Sequence, residues 1–378
     1  MLPAPAPAPR TLGPARRVVV KIGTAVLTDS RGRFDAIHFA RLTADLAEAA
    51  RDRELVIVSS GAIALGVERL GWPGRPKEIP GKQAAAAVGQ GLLMHRYESA
   101  FGPAGFSTAQ VLLTHADVAD RTRYLNARHA LERLLESKVV PIINENDTVS
   151  VDEIKLGDND HLAGLVVDLV GADLLVILSD VDGLYTADPR KDPSAQKLAV
   201  VEEVTPEIER LAGGSVSGVG TGGMVTKVRA ARRAAEAGAP TVIAPGKKVG
   251  ILLRVLAGED VGTLFQAASR ALPSRKRWLS HALKAKGVLH VDDGARKAVL
   301  QGKRSLLPSG VREVTGSFKN GDPVDIAGAS GQVFARGLAV YSADELRKIA
   351  GHKTGEVEKI LGYKILDEVV HRDDLVEL

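Results

Sequence analysis

The residues best suited to chemistry lie in one stretch, Pro141 to Asp160 (PIINENDTVSVDEIKLGDND). It continues an apolar run, Val139, Val140, Ile142 and Ile143, of the kind that forms a strand buried on both faces. It then turns into amides and carboxylates: Asn144, Glu145, Asn146, Asp147, Asp152, Glu153, Asp158, Asn159 and Asp160, with Lys155 alone among the acids. Groups of these types can recognise a small zwitterion, an Asp taking its ammonium and amide N–H donors its carboxylate. A solvated acidic loop is the plainer reading of the composition. Two features weigh against it. The polar residues begin where a strand ends, the place where open α/β sheets hold their ligands, and a second apolar segment, Leu162 to Leu169, follows at once.

Three further turns of small residues carry a cation or a hydroxyl. Lys21-Ile22-Gly23-Thr24 ends the first β-branched run, where backbone N–H groups could face an anion while the lysine neutralises it. In isolation a Lys-x-Gly turn is more often only a turn. Ser59-Ser60-Gly61-Ala62 ends a second strand, with close packing as its plainer purpose. Gly218 to Lys227 (GVGTGGMVTK) lets the backbone approach oxygens closely, with Lys227 on the helix behind it. It lacks the Walker A spacing, and no G-x-G-x-x-G follows the first strand, which argues against a P-loop NTPase and a dinucleotide oxidoreductase. The nine histidines show neither HExxH nor i, i+4 pairing, so no metal site of protein groups is expected. Magnesium carried on nucleotide phosphates, with Asp158 or Asp160 nearby, fits better. No G-x-S-x-G elbow marks a hydrolase.

The elements that must position these residues alternate. Val18–Ile22, Leu55–Val58, Gln110–Leu113, Val139–Ile143, Leu174–Leu178 and Thr241–Ala244 read as strands. Between them Asp35 can cap a helix running to about Asp52, and Gln83–Phe101, Tyr124–Ser137 and Met224–Ala237 read as helices, the last closed by Gly238. Alternation of this kind predicts a mostly parallel sheet with helices on both faces. Lys21, Ser60, Asn144 and Asp180 then all fall at strand ends.

With 378 residues the chain is long enough for more than one core. It has no cysteine, so neither disulfides nor thiolate metal sites are open to it, and its net charge of +4 is mild. Residues 1–17, with an alternating Pro/Ala run, read as a disordered arm rather than a targeting segment, and no membrane span is expected. A cytoplasmic location follows as the expectation. We divide the rest into an α/β domain (18–267), a linker (268–286), a small β-rich barrel or sandwich (287–363) with one helix over Asp344–Ile349, and a charged C-terminal tail (364–378).

From Val18 onward the chain resembles the amino-acid kinase family. The likeness rests on VVVKIGTAVLT, VIVSSGAIALG, KQAAAAVGQ, PIINENDTVS, EIKLGDND, LSDVDGLYTADPR and SVSGVGTGGMVTK, and on a C-terminal part that is similar to a PUA domain. INEND, GDND and GTGGMxTK in this order point to members acting on glutamate. The pattern expects Thr-Ser-Gly-Ala where this chain has Ser59-Ser60-Gly61-Ala62. The resemblance implies ATP-dependent phosphorylation of the side-chain carboxylate of L-glutamate, opening proline biosynthesis, with magnesium brought by the nucleotide. It implies that Lys21 and Lys227 contact the phosphates and that Asp160 holds both lysines. Ser60, Gly61, Asp147 and Asn159 would bind glutamate. Ser179, Asp180, Thr221, Gly222, Gly223, Met224, Val225, Thr226 and Lys227, with Lys21, would line the ATP site. It further implies feedback inhibition by proline and homo-oligomers formed through the kinase domain.

Two other readings compete. Another kinase of the family, acting on acetylglutamate or aspartate, is disfavoured by the INEND and GDND loop. An RNA-binding protein is suggested by the PUA-like part and by ten cations against two acids over Arg270–Arg304. Aromatic residues for base stacking are missing there apart from Trp278, so a solvated basic face is the better reading.

Overall fold

The run Val18–Ile22, four of its five residues apolar and three of them valine, forms the centre of a sheet. In the computed structural model, which describes residues 12–150, 159–213, 223–268 and 284–378, strand β1 (Arg17–Ile22) is buried from Val18 onward. It pairs in parallel with β2 (Glu54–Ser59) on one side and β5 (Leu174–Ser179) on the other. Outside the described residues lie the arm up to Thr11, residues 151–158 with Asp158, residues 214–222 with Thr221 and Gly222, and residues 269–283 of the expected linker.

With β3 (Ser107–Leu113), β4 (Val139–Glu145), β6 (Val200–Val201), β7 (Thr241–Pro245) and β8 (Thr263–Phe265), the order is β3-β4-β2-β1-β5-β7-β8-β6. All neighbours pair in parallel except β7 with β8. The expected mostly parallel sheet is thus present, with β8 and β6 as a reversed edge. Strand order turns back between β1 and β5. In open α/β sheets that reversal opens a crevice beyond the carboxyl ends of the strands.

Around this sheet run α1 (Thr24–Leu27), α2 (Ala36–Asp52), α3 (Ala62–Arg69), α4 (Ile79–Phe101), α5 (His115–Ala119), α6 (Arg121–Glu136), α7 (Asp160–Val170), α8 (Pro206–Ala212), α9 (Met224–Glu236) and α10 (Ile251–Leu256). The Asp35 side chain accepts from His38 N–H at the start of α2, as its position predicts. Gly238 follows α9 with φ 87°, the left-handed conformation that favours glycine after a helix. Helix α4 begins four residues before the expected Gln83. Pro80 and Gly81 look like breakers in sequence, yet in a first turn a missing N–H costs nothing. Helices α3 and α4 meet backbone to backbone. A Cβ on Gly66 would lie 1.8 Å from the Ala85 carbonyl oxygen, and one on Gly89 1.8 Å from that of Ala62.

The chain separates into two compact units, Met1–Ala271 and Leu272–Leu378. The second is built on β9 (Gly287–Val291), β10 (Val311–Gly316), β11 (Pro323–Ala327), β12 (Val333–Leu338) and β13 (Leu375–Glu377), in the order β10-β9-β11-β12-β13. Among the described residues α11 (Asp293–Leu300), α12 (Ala343–Ile349) and α13 (Val357–Leu361) accompany them. Two features differ from the sequence reading. The segment 364–378 is no free tail, because β13 pairs with β12 and Val369 and Val370 are fully buried in this unit's core. Its apolar residues come as adjacent pairs, Ile365-Leu366, Val369-Val370 and Leu375-Val376, set among charged ones, without the alternation that announces a strand. Helix α11 was also not expected; Asp292 caps it by accepting from Ala295 N–H. Two cations of the basic stretch stand in ion pairs, Lys286 with Asp322 at 2.6 Å and Lys303 with Glu377.

Candidate active site

Lys21 is nearly the last residue of β1, and its side chain is 1% exposed. A buried ammonium needs an anion, and the first residue of α7 supplies one. Asp160 Oδ1 lies 2.7 Å from Lys21 Nζ, and Oδ2 lies 3.0 Å from Lys227 Nζ. The Thr226 hydroxyl donates to the same Oδ2 at 2.7 Å. Thr226 and Lys227 occupy the first turn of α9, whose N-cap is Gly223. Strand end, helix start and helix start therefore converge on one carboxylate. Two lysines on one aspartate leave this trio net positive, and the N-terminal ends of α7 and α9 add partial positive charge. Such an arrangement suits a phosphoryl group.

A chain of amides and hydroxyls runs beside the trio. Asn159, fully buried at the N-cap of α7, makes no cap with its side chain. Its Nδ2 donates instead to Ser60 Oγ at 3.1 Å and to Asn144 Oδ1 at 2.7 Å. Ser60 is held where β2 passes into α3 by its N–H, which donates to the Ile22 carbonyl at 3.1 Å. Gly61 makes the turn with φ 108°, a conformation side chains rarely adopt. The neighbouring Ser59 hydroxyl shares a 2.8 Å hydrogen bond with the Tyr97 hydroxyl of α4. Threonine could make the same bond, which accounts for Ser59 standing where the family pattern expects Thr.

Asp147 follows β4 and is 5% exposed, with Oδ1 buried and without a partner among the described residues. Burial above all, and then the charge of Glu145, pushes its carboxyl up to about 7, against the opposing pull of Arg75. Asn159 Oδ1 is likewise buried without a partner. Two buried acceptors that lack donors fit an ammonium group.

Ser179 ends β5 beside β1, its hydroxyl donating to Asp180 Oδ1 at 3.1 Å and its carbonyl accepting from Gly246 N–H at 2.7 Å. Met224 and Val225 are half-buried at the start of α9. The structure thus joins Lys21, Lys227, Asp160 and Thr226 directly and ties Ser60 to Asn159. Ser179 and Asp180 share the same sheet edge without a hydrogen bond to the trio among the described residues. Sequence reasoning missed Gln90 and Tyr97, both on α4. That helix is Ala-rich on several faces, so no periodicity singles either out. No group of three or more His, Asp or Glu side chains among the described residues is placed to hold a metal ion.

Residues 16–245 match the profile of the amino acid kinase family, and residues 287–361 that of the PUA domain. The chain is 63% identical over 364 residues to a glutamate 5-kinase of Myxococcus xanthus (strain DK1622), covering 96% of this chain and 97% of that protein. A glutamate 5-kinase of Anaeromyxobacter dehalogenans (strain 2CP-C) is 55% identical over 366 residues, covering 96% of each. One of Pelobacter propionicus (strain DSM 2379 / NBRC 103807 / OttBd1) is 52% identical over 364 residues, covering 96% of this chain and 98% of that protein. A fold built to gather two lysines at strand and helix ends, matched over most of its length in this way, places the chain in the amino acid kinase family, with a PUA domain as its second unit.

Proposed function

We propose that this chain transfers the terminal phosphoryl group of ATP to the side-chain carboxylate of L-glutamate, giving L-glutamyl 5-phosphate and ADP, the first step of proline biosynthesis. The observation that carries this reading is Asp160 binding Lys21 through one oxygen and Lys227 through the other. The names of the relatives supply the amino acid.

A carboxylate is already a competent nucleophile, so the reaction needs no general base. A glutamate oxygen forms a bond to the terminal phosphorus while the bond from phosphorus to the bridging oxygen breaks, and ADP leaves with that electron pair. No proton moves. The difficulty lies in bringing two anions together in line and in stabilising the charge spread over the phosphoryl oxygens. Lys21 and Lys227 would do this from two sides. Asp160 orients both, and backbone N–H groups near Gly23 and Gly223 add donors. Ser179, Asp180 and the segment Thr221–Lys227 would hold the nucleotide. Ser60, Gly61, Asp147 and Asn159 would hold glutamate, with its ammonium on Asp147 and Asn159 Oδ1. Magnesium would arrive on the ATP phosphates. Asp160 does not fit as its ligand, because both oxygens already hold lysines. The same reading carries a cytoplasmic location, proline inhibition near the glutamate site and homo-oligomers formed through the kinase unit. Among the described residues no helix is long and apolar enough to cross a membrane.

Incubation with ATP, magnesium, glutamate and hydroxylamine should yield glutamyl hydroxamate. Product with acetylglutamate or aspartate, and none with glutamate, would replace this reading with that of another kinase of the family.

The raised carboxyl of Asp147 gives the reading a pH signature. In the free enzyme Asp147 keeps its proton up to about pH 7, yet an ammonium ligand needs the carboxylate. Glutamate binding must therefore release that proton, and KM for glutamate should fall roughly tenfold between about pH 6 and 8. Asp147→Asn should raise KM and flatten the profile. A wild-type KM that does not change over this range would count against Asp147 as the ammonium partner.

A further inference from the structure

Helix α4 contributes to the amide chain a side chain that the reaction as described leaves unused. Gln90 Oε1 accepts from Asn144 Nδ2 at 2.9 Å. Asn144 Oδ1 in turn accepts from Glu145 N–H at 2.9 Å and from Asn159 Nδ2 at 2.7 Å. One fixed point sets the direction of every amide in this chain. A backbone N–H can only donate, so the Asn144 atom facing Glu145 is its oxygen. Its NH2 then faces Gln90, and Gln90 must meet it with oxygen.

What this leaves over is Gln90 Nε2, buried and without a partner among the described residues. At the other end of the chain Asn159 Oδ1 is left in the same condition, as is Asp147 Oδ1. Buried polar groups are rarely left unpaired unless something else completes them. Gln90 Nε2 and Asn159 Oδ1 are linked through Asn144, and with the separate Asp147 Oδ1 they offer one donor and two acceptors, the complement of an amino-acid head group.

We propose that Gln90 is a specificity-determining residue, whose Nε2 donates to the substrate carboxylate that is not phosphorylated. This deepens the reading of the chain as an amino-acid carboxylate kinase and rests on it. The competing role for Gln90 is to orient Asn144 alone. The two roles use opposite ends of the same amide, and that makes them separable.

The test uses the full chain with glutamate as substrate and 4-aminobutyrate, which is glutamate without its α-carboxylate, as competitive inhibitor. Gln90→Glu keeps an oxygen for Asn144 and puts a carboxylate where the NH2 stood. It should raise KM for glutamate by about 10²-fold and leave KM for ATP and the thermal midpoint near wild type. Gln90→Met should raise KM for glutamate by about 10–100-fold while the inhibition constant of 4-aminobutyrate stays within about threefold. If Gln90→Glu keeps the wild-type KM, or if Gln90→Met weakens glutamate and 4-aminobutyrate equally, Gln90 serves Asn144 only and the proposal is overturned. A wild-type chain that ignores glutamate but accepts another amino acid overturns the substrate reading instead. The variants are then scored on that amino acid and its decarboxylated analogue.

Discussion

Asp160→Asn should lower unfolding stability by about 3–5 kcal/mol and reduce phosphoryl transfer to below about 1% of wild type. The exchange preserves shape, so packing changes little and the effect is electrostatic. Asp160 is fully buried between Lys21 and Lys227, whose side chains are 1% and 6% exposed. With a neutral amide in its place, two buried ammonium groups lose the anion that both now touch. Removing one partner of a buried ion pair costs far more than the pair itself contributes, because the charge left behind has also lost its water. Urea unfolding followed by circular dichroism reads the first effect, and the hydroxamate assay the second. A variant as stable as wild type would show that other groups balance the lysines, and that Asp160 is not what holds them.

Lys227→Ala should lower kcat by about 10²–10³-fold while KM for glutamate changes only a few-fold. The ammonium of Lys227 meets charge that grows as the phosphoryl group leaves ADP, so its contribution is larger in the transition state than in the bound ground state. Removing it also frees Asp160 Oδ2, to which the Thr226 hydroxyl still donates, and this limits the structural damage. Steady-state kinetics with each substrate varied in turn separates the two effects. A raised KM for ATP with kcat unchanged would mean that Lys227 merely holds ATP.

Much of this architecture could be read from residue order alone. The β-branched run after Arg17 had to be a buried strand, Asp35 had to cap a helix, and the alternation of segments required parallel pairing. Strand ends also collected Lys21, Ser60, Asn144 and Asp180 without knowledge of any relative. The meeting of Lys21, Asp160 and Lys227 was not legible in that way. These residues lie far apart in sequence, and only the family likeness joined them. Gln90 was hidden for a different reason. Its importance comes from a chain of hydrogen bonds that starts at the N–H of Glu145, and no local pattern encodes a direction set by the main chain. The last strand, Leu375–Glu377, escaped notice because three residues have little propensity of their own and owe their pairing to β12.

The glycine contact between α3 and α4 has a bearing on the amino-acid end of the site. Helix α3 departs from Ser60, and α4 carries Tyr97 and Gln90. With main chain resting on main chain at Gly66 and Gly89, no side chain stands between the two helices at these two points to absorb a shift. They behave as one block, so whatever displaces the serine hydroxyl displaces the glutamine amide with it. The shape of this end is thereby written into the backbone, where exchanges of neighbouring side chains have little power to retune it.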